Sequence, residues 1–89
     1  MKKSSSWILY ILRCGDGSFY TGITNRLDHR LKAHEKGLAS RYTRSRLPVR
    51  LIYRKACRSR SDALKKEWAV KLLSREKKER LIFFKESIP

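Results

Sequence analysis

Acidic residues are scarce in this chain. Eight Asp and Glu stand against 23 Lys and Arg, for a net charge of +15. A field of that sign concentrates polyanions, and an isoelectric point near 10.5 is the electrostatic footprint of a nucleic-acid binder. Cysteine is scarce too. Cys14 and Cys57 are too few for a disulfide framework, and no C-x-x-C spacing points to zinc. Both are expected as reduced thiols of a cytoplasmic protein. Long apolar runs are missing: the longest, Trp7 to Leu12, has six residues. A membrane-spanning helix needs about 20, and the apolar stretch of a signal peptide about 7–15. Lys2 and Lys3 imitate the basic start of a signal, but Arg13 and a glycine turn follow too soon. Neither a membrane role nor export by this route is expected. Internal repeats, low-complexity tracts and linkers are also absent.

What is there fits one small domain. A chain of 89 residues buries roughly two-thirds of its unfolded surface, enough for one modest core. Residues 7–84 are expected to form it, with a flexible segment 1–6 (MKKSSS) before it and a short tail 85–89 after it. Trp7 to Arg13 reads as a strand, apolar on both alternating faces and so covered on both sides. CGDGS is a hairpin turn with an Asp-Gly signal, and Ser18 to Thr24 is the second strand. NRLDHRLKAHEKG reads as a helix with Asn25 as its cap and Gly37 as its end. Leu27, Leu31 and Leu38 share one stripe of it, with His34 within about 20° of Leu27 and Arg30 about 60° to the side. Residues 39–48 form a basic connection. Val49 to Cys57 is a third strand, alternating Leu51, Tyr53 and Lys55 against Arg50, Ile52 and Arg54. Ser59 or Ser61 caps a helix from Asp62 to Leu73, and Ser74 opens another that runs to about Phe84. The order β-β-α-β-α-α describes an α+β fold, a three-stranded antiparallel sheet flanked by helices.

Several residues in this frame have a packing reading and a chemical one. Tyr10 and Tyr20 lie about equally far from the turn, and an even register offset places both rings on one face of the sheet. Tyrosines pack well in strands. A phenol with pKa near 10 becomes a base only beside positive charge or a metal. Arg30 supplies such a charge, unless it pairs with Asp28 or Glu35 on its own helix. His34 is a core histidine or a proton carrier near neutral pH. Glu67 lies beside an apolar stripe of its helix and either pairs with Lys71 or holds a hard cation with water and a substrate phosphate. Residues 41–60 carry Arg41, Arg44, Arg46, Arg50, Arg54, Lys55, Arg58 and Arg60 without one acid, interleaved with Tyr42 and Tyr53. That is the pattern of a surface that tracks phosphates and offers aromatic platforms to bases.

Together these residues resemble the GIY-YIG nuclease domain over Trp7 to about Ile82. Ile8-Leu9-Tyr10 matches the first motif and Tyr20-Thr21-Gly22 the second. Arg30 matches the catalytic arginine, His34 its partner one turn later, and Glu67 the metal-binding glutamate. The likeness is closest to the small stand-alone bacterial members. Ile8 stands where the name-giving glycine would be. The asparagine late in the last helix and the lysine after the second motif, used by some relatives, have no counterpart. The resemblance implies hydrolysis of a nucleic-acid phosphodiester, DNA before RNA, with Mg²⁺ or Mn²⁺ on Glu67. It implies Tyr10 or Tyr20 as the base, Arg30 on the phosphoryl oxygens, and His34 as an orienting or relaying group. Tyr42 and the basic residues Arg41, Arg44, Arg46, Arg50, Arg54, Lys55 and Arg58 would bind the polymer, and no obligate protein partner is implied. The alternatives are a non-catalytic nucleic-acid binder that keeps the fold, or an accessory protein docking on an acidic partner.

Overall fold

A computed structural model describes residues 6–89. Of the expected flexible segment 1–6, all but Ser6 lies outside the described residues. The chain runs β1 (Trp7–Arg13), β2 (Phe19–Thr24), α1 (Leu27–Glu35), α2 (Arg41–Arg44), β3 (Arg50–Cys57), α3 (Arg60–Lys71) and α4 (Arg75–Phe84). The three strands form one antiparallel sheet in the order β2-β1-β3. This is the expected α+β arrangement, with one addition. The basic connection contains the one-turn helix α2, capped by Ser40, whose hydroxyl accepts the Thr43 N–H.

The central position of β1 explains its unbroken apolar run. Leu9, Tyr10, Ile11 and Leu12 are all buried, and they divide by pleat between two cores. Leu9 and Ile11 pack with Ala63 and Val70 of α3 and Leu81 and Ile82 of α4. Tyr10 and Leu12 pack with Leu27 of α1 and, less deeply, Leu31 and Leu51. Each fully buried side chain of this size contributes roughly 1.5–3 kcal/mol. Cys14 and Cys57 are free and buried. They stand at opposite ends of β1, since Cys57 pairs with Trp7. At about 3.3 Å per residue that separation is far beyond disulfide reach.

Local chemistry sets the element ends. Ser59, not Ser61, caps α3 and accepts the Asp62 N–H at 3.0 Å, while Asp62 accepts the Arg58 N–H at 2.8 Å. Ser74 caps α4 through the Lys77 N–H at 3.2 Å. Asn25 does not cap α1. The N-cap position is Arg26, which lacks a capping side-chain bond, and Thr24 Oγ1 accepts its N–H at 3.1 Å instead. At the other end Gly37, with φ of +76°, turns the chain out of the helix. Its N–H reaches His34 O at 3.0 Å and the Leu38 N–H reaches Ala33 O at 2.8 Å, closing the last turn with a left-handed residue that favours glycine. Leu38 therefore leaves the helical stripe and stands 76% exposed.

The third strand departs from simple alternation. Ile11 pairs with Tyr53 but Leu12 with Leu51, leaving a bulge at Ile52. One extra residue flips the side-chain sense, so Ile52 and Tyr53 both serve the α3–α4 core while Leu51 serves the other. The end of the hairpin is fastened twice. The Gly15 N–H donates to Arg46 O at 2.6 Å. Arg75 lies 3.7 Å above the Phe19 ring and donates to Gly17 O at 2.9 Å. Beyond α4, Ile88 packs back against the core, and Arg80 pairs with Glu86 at 3.3 Å.

Gly22 has a steric reason to be glycine. A Cβ there would stand 2.6 Å from Tyr10 Oη and 2.7 Å from Tyr10 Cζ. Gly22→Ala is expected to cost about 1–3 kcal/mol through overpacking at a buried site. Urea unfolding checks this, and an unchanged midpoint would mean the ring is free to move aside.

Candidate active site

The register of the hairpin builds the site. Tyr10 pairs with Gly22 and Leu12 with Tyr20, an offset of two that keeps both phenols on one face. Their ring centroids lie 6.4 Å apart. Helix α1 covers that face and inserts His34 between them, 5.7 Å from the Tyr10 ring and 5.2 Å from the Tyr20 ring. The same turn of helix that buries Leu27 brings Arg30 to the margin.

His34 is fully buried and uses both ring nitrogens. Nε2 meets Tyr10 Oη at 2.8 Å and Nδ1 meets Thr43 Oγ1 at 2.9 Å. Burial, and secondarily the nearby Arg30 charge, lower its pKa to about 4. Of its two readings, burial favours the core histidine over a proton carrier near neutral pH. A ring sealed from water beside a guanidinium is neutral at pH 7.

Arg30 is half-buried and donates to Ala39 O at 3.3 Å. Among the described residues no ion pair joins it to Asp28 or Glu35. Hydrogen bonding to Tyr10 is the main cause that raises its pKa, with smaller contributions from the charges of Tyr10 and Tyr20. The influence on Tyr10 in return is outweighed. Burial raises that phenol's pKa first, Arg30 opposes it, and the Tyr20 and Glu67 charges add to the rise. An activated phenolate at Tyr10 is thus not a property of the protein groups alone.

Glu67 arrives from the other layer. It shares a helix stripe with Ala63 and Val70, four residues after one and three before the other, and these two pack against Leu9 and Ile11 on the opposite face of β1. Its side chain is 20% exposed and pairs with Lys71 at 3.2 Å. Its charge is nevertheless felt at Tyr10. Tyr10, Tyr20 and His34 thus form one cluster with Arg30 at its margin, while Glu67 stands on α3, whose buried stripe packs against the other face of β1. Among the described residues no group of three His, Cys, Asp or Glu stands together. The donor set suits a hard cation held by one carboxylate, water and substrate oxygens, and no cage made of protein alone.

The basic residues divide. Arg41 and Arg44 are exposed on α2, which touches His34 through Thr43. Tyr42 stacks on Tyr20 at 6.0 Å, and Arg46 lies 3.8 Å over the Tyr42 ring while pairing with Asp16 at 3.0 Å. Arg54 pairs across from Tyr10 and shares its face, whereas Lys55 pairs with Leu9 and Arg50 with Arg13 on the other. Arg58 is exposed between β3 and α3. So Tyr42 is an aromatic platform already engaged by Arg46, and the strand's cations serve two surfaces. A groove of about 650 Å³ between β3, Lys66 and the segment from Ile82 to Ile88 is lined by none of the five candidate catalytic residues.

Sequence reasoning missed Ser40 and Thr43. Thr43 is fully buried, 3.0 Å from Ser40 Oγ and 3.4 Å from Ser40 O, to which its hydroxyl donates. The signal was the Ser-x-x-Thr spacing of a capped turn, hidden in a stretch that reads as a charge run.

The family model described as "GIY-YIG catalytic domain" matches residues 6–80. A UPF0213 protein of Desulfotalea psychrophila is 47% identical over 78 residues, which cover 86% of this chain and 71% of that protein. A UPF0213 protein of Oceanobacillus iheyensis is 47% identical over 78 residues, covering 88% and 91%. Among solved structures, the solution NMR structure of a UPF0213 protein from Bacillus halodurans superposes with a TM-score of 0.60 at 46% identity, covering 90% of this chain and 85% of that one. A solution NMR structure of a protein from E. faecalis superposes with a TM-score of 0.64 at 38% identity, covering 98% and 95%.

The neutral, buried His34 has a consequence for stability. Its pKa is about 4 folded and about 6.5 unfolded, so the unfolded chain binds the extra proton between those values. Stability is full above pH 6.5 and falls as pH drops toward 4, by about 3 kcal/mol in total. Urea unfolding between pH 7.5 and 5 is expected to show the onset, and His34→Gln to flatten it. Equal slopes for the two proteins would mean that His34 protonates freely in the fold.

Proposed function

Because this chain belongs to the GIY-YIG family, we propose that it is a metal-dependent endonuclease, acting in the cytoplasm on DNA in preference to RNA. Residues 7–84 constitute the nuclease domain in this reading. One observation carries it: the motif tyrosines Tyr10 and Tyr20 share a face covered by α1, with His34 beside both rings and Arg30 one turn earlier on the same helix. A guanidinium held there matches the oxygens of a phosphate. In hydrolysis it offsets the charge that builds on the phosphoryl group, without reorganising at the moment of reaction. His34 holds the Tyr10 hydroxyl, and Tyr20 or Tyr10 accepts the proton of the attacking water.

Glu67 is the residue that would hold Mg²⁺ or Mn²⁺, in exchange for its pairing with Lys71. Bound there, the ion supplies Lewis-acid polarisation of the phosphate and a lowered pKa for water or phenol, which the protein groups alone do not give Tyr10. Arg41 and Arg44 on α2, Arg46 beside Tyr42, and Arg54 beside Tyr10 lie on or next to the tyrosine face and bind the polymer near the cleft. Arg50, Lys55 and Arg58 extend the field along β3. A second reading, binding without cleavage, is favoured by the occupied Glu67 carboxylate.

Cleavage assays separate the two. On single-stranded, branched and duplex DNA and on RNA, activity is expected with Mg²⁺ or Mn²⁺ and not with EDTA. Arg30→Ala is expected to lower the rate about 10²–10³-fold, and Glu67→Ala to abolish it, with both variants folded. Tyr10→Phe and Tyr20→Phe keep the rings and remove the hydroxyls. If both cleave at the parent rate, the phenols only pack. If Glu67→Ala also cleaves normally, the activity belongs to a contaminant and the binding reading replaces this one.

Binding has its own signature. Engaging roughly five phosphates gives a log–log salt slope of about −3.5 to −4.5. Changing Arg44, Arg46 and Arg50 together to alanine is expected to flatten it. A slope near zero would remove nucleic acid as the partner.

A further inference from the structure

The hydrogen bonds around His34 form a line with one end of fixed polarity. There the carbonyl oxygen of Ser40 can only accept, and it takes the Thr43 hydroxyl at 3.4 Å. From Thr43 the line runs through Oγ1 to His34 Nδ1 at 2.9 Å and from His34 Nε2 to Tyr10 Oη at 2.8 Å. Ser40 Oγ, 3.0 Å from Thr43 Oγ1, already accepts the Thr43 N–H at 3.1 Å. Tyr10, His34 and Thr43 are all buried to 1% exposure or less, so water does not make up for a bond pointed the wrong way.

Each internal group has one hydrogen to give. With Thr43 donating to Ser40, its oxygen receives a hydrogen from Nδ1. A neutral imidazole carries one N–H, so Nε2 is bare and receives the Tyr10 hydroxyl. The Tyr10 oxygen is then left with its lone pairs toward the face shared with Tyr20. Reversing one bond alone sets two hydrogens, or none, between a pair of buried atoms, at a cost of about 1–3 kcal/mol. Reversing the whole line requires Ser40 Oγ to donate to Thr43 Oγ1 in place of the Thr43 bond to Ser40 O.

We propose that Thr43, anchored by Ser40, is a positioning residue that holds His34 in the Nδ1–H tautomer and thereby turns the lone pairs of Tyr10 toward the cleft. The tautomer rests on the Thr43 hydroxyl donating to Ser40 O. Its catalytic consequence rests on the nuclease reading: a phenol that passes its own hydrogen to the bare His34 Nε2 can take a proton from water on the lone pairs that face substrate, and one that faces substrate with its hydrogen cannot.

The test is long-range ¹H–¹⁵N correlation NMR of the full chain, labelled on histidine, at pH 7. The parent is expected to show His34 with a protonated Nδ1 and a pyridine-like Nε2. Protonation at Nε2 overturns the proposal whatever the protein does to nucleic acid. Thr43→Val keeps the shape, removes the acceptor and is expected to move His34 toward the Nε2–H form; Thr43→Ser is expected to restore the parent pattern. An unchanged tautomer in a folded Thr43→Val variant also overturns it. If that variant does not fold, the parent spectrum and Thr43→Ser decide alone. Where cleavage is observed, kcat of Thr43→Val is expected to fall at least roughly tenfold and by no more than the ~10²–10⁴ a positioned acid–base group contributes, with KM little changed and Thr43→Ser near the parent. Absence of cleavage in the parent, with Nδ1–H present, removes the nuclease reading and leaves the positioning role standing.

Discussion

The bond between Tyr10 Oη and His34 Nε2 is the constraint on which the arrangement turns. Two polar groups from a central strand and a covering helix meet where neither reaches water, so leaving the bond unmade costs the desolvation of both. Every neighbour answers to that meeting. Gly22 lacks a side chain because the Tyr10 ring lies over it. Helix α1 ends at Gly37 just after delivering His34, and the chain then folds Thr43 back against the second nitrogen of the ring. Tyr20 and Tyr42 complete an aromatic wall around it. Packing and chemistry draw on the same atoms here, which is why neither reading of the tyrosines excludes the other.

Much of this was legible in the sequence, for a physical reason in each case. The strand β1 was legible as a run apolar on both alternating faces, the mark of a strand covered on both sides. The shared face of the tyrosines followed from two strands joined by a tight turn, where an even offset is enough. Ser59 and Ser74 announced α3 and α4 because a hydroxyl just before a periodic segment accepts an otherwise orphaned N–H.

Where reading by pattern stopped, tertiary structure had overruled it. Asn25 looks like a cap, but the helix begins one residue beyond reach and Thr24 takes the available N–H. Leu38 continues the stripe on paper, while the left-handed turn at Gly37 carries it into solvent. The bulge at Ile52 breaks an alternation that no single strand can reveal, because a bulge is defined by its partner. Glu67 was placed beside an apolar stripe, yet only the layering of α3 across the sheet from α1 shows how indirectly it meets the phenols. Thr43 was invisible among arginines, since charge is conspicuous and a buried hydroxyl is not.

The outer edge of β3 carries one more consequence. Among the described residues it is the unpaired side of the sheet beyond β1, and such edges invite a second chain to pair along them. Here it bears Arg50, Arg54 and Lys55, all exposed, and is bent by the bulge. Two copies approaching edge to edge would bring like charges together across a kinked ladder. The cations proposed to face phosphates thereby disfavour strand-to-strand aggregation, so a surface suited to a polyanion protects the protein from itself.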